Sequence, residues 1–230
     1  MDPDLAQRLA RIRRPLGWAL ALLVPVWAWL VWNAPIDRVQ GVIQKILYVH
    51  PPLAYGAYLG FVLTAIGGAL YLWKRREVYD QLAVSGAEVG VVFCTLMMVT
   101  GPIWGKGTWG QWWSWDPRLT LTLLLWFVYL SYLLLRSLTE GSERTARFAA
   151  VYGLAGTALI PLNYFAIELA GGRSAHPENL ERGSLGAGMG WPFVVANLAA
   201  FAAFVYFVVL RWEVESRRAA AAEAMAEGPA

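Results

Sequence analysis

Six stretches of this chain, residues 16–34, 51–73, 82–104, 119–135, 148–170 and 191–210, are long and apolar enough to cross a lipid bilayer. A hydrocarbon core about 30 Å thick takes roughly 20 residues of helix, and lipid offers no partner to an unpaired backbone N–H or C=O. The expected fold class is therefore all-α: a polytopic membrane protein built as a six-transmembrane-helix bundle, with residues 1–230 forming one membrane domain and no soluble domain. Only 15% of the residues are charged, where a soluble domain carries about a quarter. Arg8, Arg11, Arg13 and Arg14 precede the first apolar run as they would in a signal peptide. That run is too long and too rich in tryptophan, and has no small-residue cleavage site, so it is expected to stay as the first helix.

Basic residues resist translocation, so their distribution orients the bundle. With the N-terminus inside, the inner segments 1–15, 74–81, 136–147 and 211–230 carry 13 Lys and Arg, against 6 in the outer segments 35–50, 105–118 and 171–190. Both termini are expected to be cytoplasmic. The net charge of +3 arises from 19 basic and 16 acidic residues in scattered clusters, which excludes nucleic acid as a partner. A single cysteine, Cys94, excludes a disulfide framework, a CxxC redox pair and covalent c-type heme attachment. The Ala- and Glu-rich tail from Arg211 reads as a helical extension without assigned function.

The unusual residues collect outside. In the first outer connection Val39, Val42, Ile43, Ile46 and Leu47 recur at helical intervals, as in a short helix lying in the interface. The chain has two histidines, His50 in YVHPP and His176 in SAHPE, and both fall on the outer side. They read either as ordinary loop residues or as ligands. Pro51 suits the first turn of the second helix and anchors His50 there, whereas the proline after His176 biases that residue to an extended backbone. In the second outer connection Trp104, Trp109, Trp112, Trp113 and Trp115 fall within twelve residues, among Gly105, Gly107 and Gly110. An interfacial belt accounts for Trp27, Trp29, Trp32 and Trp191, but five indoles in one loop exceed what anchoring needs. Flat indoles beside glycines suit a large planar apolar ligand at the lipid–water boundary.

Asp116 and Pro117 have the form of a cap and first residue for the fourth helix, and Arg118 can in addition pair bidentately with a carboxylate of such a ligand. Lys106, Arg173 and Arg38 are weaker candidates for that pairing. Two imidazoles, an aromatic floor and a guanidinium form a complete set for heme, whose iron accepts two axial ligands. An electron-transferring b-type cytochrome would carry its histidines within the helices, and here none is intramembrane. Met97 and Met98 read as packing residues, and Asn163 beside Pro161 as mending a helix kink. Glu88 and Glu168 are ionisable groups in lipid without an assigned role.

WGQWWSWDPRLT, Trp109 to Thr120, resembles the tryptophan-rich signature of the heme-handling proteins of cytochrome c biogenesis. Six helices with one such motif resemble the CcmC type of heme exporter protein, and YVHPP resembles that family's first histidine motif. Before the second histidine the family pattern has tryptophans, where this chain reads IELAGGRSAHPE. The resemblance implies heme b held by bis-His ligation through His50 and His176, with the segment that includes Trp109, Trp112, Trp113, Trp115, Asp116 and Arg118 as its platform. It also implies a site on the periplasmic side of the bacterial inner membrane, delivery to a periplasmic heme chaperone, and association with an ABC-transporter-like complex. The protein would supply position rather than bond-making chemistry. The alternatives are a membrane electron-transfer cytochrome, a permease subunit for heme or another solute, and a purely structural assembly subunit.

Overall fold

The computed structural model describes residues 5–138, 142–177 and 185–227; residues 139–141 and 178–184, each within a connection between spans, lie outside the described residues. Among the described residues the α-helices are α1 Leu5–Asn33, α2 His50–Lys74, α3 Glu77–Trp109, α4 Pro117–Leu138, α5 Glu143–Thr157, α6 Leu159–Tyr164, α7 Ala166–Leu169 and α8 Gly190–Glu227, with a 3-10 helix at Val42–Tyr48. Six units are long and apolar enough to span a bilayer, α5 and α6 together forming the fifth. The chain is an all-α, multi-pass membrane protein.

Several helices run past the apolar stretches. α1 begins at Leu5 rather than residue 16, α3 continues to Trp109, and α8 reaches Glu227. At the end of the bundle away from Trp109, ion pairs join the helices. Arg13 of α1 donates to Glu213 of α8 at 2.9 Å, and Glu213 is buried at 4% exposure. Arg136 of α4 grips Asp80 of α3 through two hydrogen bonds of 2.8 and 2.6 Å, and Arg211 of α8 pairs with Glu88 of α3. Glu88 therefore has its partner across the bundle.

α2 and α3 form the centre, packed backbone to backbone. A Cβ built at Gly60 would lie 2.5 Å from the Gly90 Cα, and one at Gly67 would lie 2.8 Å from the Ala83 nitrogen. In lipid, where apolar burial does not drive helices together, such close approach supplies the attraction. α4 joins this pair through Tyr129, whose ring stacks on Phe61 at 3.8 Å and whose hydroxyl meets the Gly153 carbonyl of α5 at 3.0 Å.

The fifth span is broken rather than continuous. Pro161 lacks an N–H and its ring crowds the carbonyl four residues back, at Thr157; α5 stops there, and α6 and α7 follow as short pieces. At the same end of the bundle the 3-10 helix packs inward, burying Gln44, Leu47 and Tyr48. The expected interfacial helix forms only from Val42 and buries only part of its apolar residues: Val39 lies in the preceding turn, and it and Val42 stay exposed. α3 ends where Gly110 takes a left-handed backbone, φ 78°, which only glycine adopts at no cost. The connection to α4 is thus much shorter than 105–118.

Candidate functional site

At the end of the bundle bearing the tryptophans, α2, α3, α4 and α6 enclose a cleft with about 1100 Å³ of empty space, part of it open to solvent. His50 is the first residue of α2, with Pro51 behind it in the first turn. Its Nδ1 lies 3.1 Å from the Thr100 hydroxyl on α3. His176 belongs to the connection after α7, and its backbone N–H donates to the Ser174 hydroxyl at 3.0 Å. The His176 Nδ1 lies 2.7 Å from the Pro177 carbonyl; a carbonyl only accepts, so Nδ1 carries the proton and Nε2 keeps the lone pair.

Residues 126 positions apart thus bring two imidazoles together, with ring centroids 6.4 Å apart and planes inclined by 43°. Trp104 meets His50 edge-on at 5.8 Å, and Trp109 flanks His176 at 6.3 Å. Burial pushes the His176 imidazole below its usual 6.5, the Pro177 carbonyl partly opposing this, and keeps the ring neutral and able to donate an electron pair. Among the described residues no group of three or more His, Cys, Asp or Glu side chains could hold a metal ion. Two imidazoles alone leave most of a metal's coordination unfilled, so a metal held here must bring further ligands of its own.

Arg118 forms one wall. At 9% exposure it donates through Nη2 to the Tyr164 carbonyl at 2.7 Å and, at the long limit of 3.5 Å, through Nη1 to that of Pro177. Its Nε is buried without an acceptor, and no salt bridge reaches it among the described residues. Among the described residues its contacts are thus two neutral carbonyls and one unfilled donor, a state that burial makes costly.

Of the residues singled out by sequence, His50, His176, Trp109, Trp113 and Arg118 line the cleft. Trp112 and Trp115 stand exposed outside it, Trp115 edge-on to Trp113 at 5.8 Å. Asp116 caps α4: its Oδ1 accepts from the Leu119 N–H at 3.2 Å and its Oδ2 from the Ser114 hydroxyl at 2.8 Å. Lys106 turns to the Gly110 carbonyl and Arg173 to that of Ala170; neither lines the cleft, nor does Arg38.

Sequence reasoning missed the floor. Met97 and Met98 line it together with Tyr58, Thr122 and Asn163. Asn163 is 1% exposed and joins three helices, accepting from the Tyr58 hydroxyl of α2 and donating to the Arg118 carbonyl and Thr122 hydroxyl of α4 at 3.0 and 2.8 Å. The available signal was an amide inside an apolar run, which in lipid demands partners.

The family described as heme exporter protein C (CcmC) matches residues 2–226 of this chain. A heme exporter protein C of Haemophilus influenzae is 29% identical over 93% of this chain and 88% of its own length. The proteins of the same name from Rhodobacter capsulatus and Paracoccus denitrificans are 31% and 32% identical, over 89% and 82% of this chain and 87% and 80% of theirs.

Proposed function

The chain belongs to the heme exporter protein C family, and from that premise we propose that it holds heme at the outer surface of the bacterial inner membrane and delivers it to a periplasmic heme chaperone during cytochrome c maturation. The observation that carries this reading is the meeting of His50 and His176 across a cleft, 6.4 Å apart. An imidazole nitrogen sits about 2 Å from a transition metal and roughly 1 Å from its own ring centre, so two imidazoles on opposite sides of one iron have centroids roughly 6 Å apart.

The other residues fit the same cargo. Heme b brings four equatorial nitrogens, so two protein ligands suffice, and its iron would be held by His50 and His176. Its flat apolar surface suits Trp109 and Trp113, and its carboxylates suit the buried Arg118, whose Nε lacks an acceptor among the described residues. Trp112 and Trp115, exposed beside the cleft, give an acceptor chaperone an aromatic surface to approach, and Asp116 fixes the start of the helix that carries Arg118. Association with an ABC-transporter-like complex belongs to the same reading. In this scheme the protein orients the heme and controls its exposure, and bond formation falls to the acceptor.

Absorption spectra of the purified protein loaded with heme test the ligand pair. His50→Ala and His176→Ala are each expected to convert a six-coordinate low-spin spectrum to a high-spin or weakened one. Wild-type spectra in both variants would remove the assignment.

A further inference from the structure

We propose that Thr100 is a positioning residue for His50, accepting a hydrogen bond from its Nδ1–H and so leaving Nε2 as the ring's only lone pair for iron. The inference rests on the reading of His50 as a heme ligand, and on two observations of α3. The first is the hydrogen bond between His50 Nδ1 and Thr100 Oγ1 at 3.1 Å. The second is Gly101, the next residue, where a built Cβ would lie 3.0 Å from the His50 Cε1 and 3.6 Å from its Nδ1. The imidazole packs closely against Gly101 of α3, where an added Cβ would crowd it, with the Thr100 hydroxyl alongside.

The direction of the hydrogen bond follows from where the threonine proton goes. Thr100 Oγ1 donates back into its own helix, with the Leu96 carbonyl at 3.0 Å and the Met97 carbonyl at 3.1 Å. Thr64, Thr95, Thr108, Thr122 and Thr157 do the same in their helices, the ordinary behaviour of a hydroxyl inside an apolar helix. A hydroxyl has one proton, and once it is committed to a carbonyl the oxygen can only accept. His50 must then donate from Nδ1. His176 reaches this tautomer by another route, through the carbonyl of its own successor. One imidazole is set by a neighbouring helix and the other by its own loop.

An acceptor on the far nitrogen fixes the ring and raises its basicity toward the metal, which favours ferric over ferrous iron. Thr100→Val keeps the side-chain shape and deletes the acceptor, so the midpoint potential of bound heme should shift upward relative to wild type. Thr100→Ser keeps the hydroxyl and should restore the wild-type potential. His50→Ala, measured alongside, reports on the ligand itself. If His50→Ala changes the low-spin spectrum but Thr100→Val matches wild type in potential, the role of Thr100 is overturned while the ligand stands. If His50→Ala leaves the spectrum unchanged, the ligand reading falls and this inference with it. A second measurement needs no variant. The chain has two histidines, so nitrogen NMR of histidine-labelled, unloaded protein resolves both rings. Nδ1–H is expected for His50, and Nε2–H would overturn the proposal.

Discussion

His176 is half-buried, and its imidazole is easier to keep neutral than one in solution. Burial lowers its proton affinity most, the Pro177 carbonyl opposes that, and Arg118 lowers it while Asp116 raises it, in that order of size. The unfolded chain takes up a proton near the ordinary value of 6.5. Above that pH His176 is neutral in both states and adds no pH dependence. As pH falls from 6.5 toward the lowered value, the unfolded chain gains a proton that the folded site refuses, so stability declines in that window and levels off beneath it. A ligand must be unprotonated, so the low-spin heme spectrum is expected to persist below pH 6.5 in an acid titration of the loaded protein. Loss of the spectrum above pH 6.5 would contradict the burial argument. Arg118 makes a separate prediction: Arg118→Gln, measured by heme titration, should weaken binding about tenfold or more, corresponding to roughly 1.4 kcal/mol. Arg118→Lys should restore little, since a point charge cannot span the Tyr164 and Pro177 carbonyls and still meet a carboxylate. The two histidines and Arg118 were legible in the sequence because topology and motif isolate them. Asn163 and Thr100 were not, because a polar residue in an apolar helix declares its partner only when the neighbouring helix is known.

Helix count follows directly from hydropathy, whereas helix contacts follow from residues that hydropathy ignores. The number of spans was legible because a bilayer enforces about 20 apolar residues for each. The ends were not: α1 and α8 run on past their apolar stretches through segments that carry Arg13, Arg211 and Glu213, which look like loop charges until they pair. The break after α5 came from Pro161, which a kink anticipates but whose division into three pieces it does not. The seam between α2 and α3 rests on Gly60, Gly67, Gly86 and Gly90, whose spacing carries no signal in a hydropathy profile. At Gly60 an added Cβ would meet Gly90 and Gly86 backbone atoms at 2.5–2.7 Å, and backbone cannot swing aside. Gly60→Ala should therefore lower the thermal unfolding midpoint in detergent, at a cost of about 1–3 kcal/mol. Gly190→Ala, where nothing lies within 4 Å, should match wild type. Equal midpoints for the two variants would mean that the helices are not held this closely.

An even number of spans brings both ends of the chain to one side, and the two sides differ in kind. One carries the cleft, with His50, His176 and Arg118 in it and exposed Trp112 and Trp115 around it. The other carries the ion pairs Arg13–Glu213, Asp80–Arg136 and Glu88–Arg211, together with the exposed basic turn Arg75-Arg76. Thirteen of the chain's 19 Lys and Arg belong to the segments on that second side. Moving them outward during insertion opposes the bias that retains basic residues in the cytoplasm, so the cleft is expected to face out and the termini in. Thiol labelling decides this cheaply, because Cys94, the lone cysteine, is fully buried and silent toward an impermeant reagent. Val39, 93% exposed before the 3-10 helix, marks the cleft side, and Arg76 between α2 and α3 marks the other. Val39→Cys should label in intact cells. Arg76→Cys should label only after the membrane is permeabilised. The reverse pattern would put the imidazole pair in the cytoplasm and end its assignment to periplasmic delivery, whatever its spectrum.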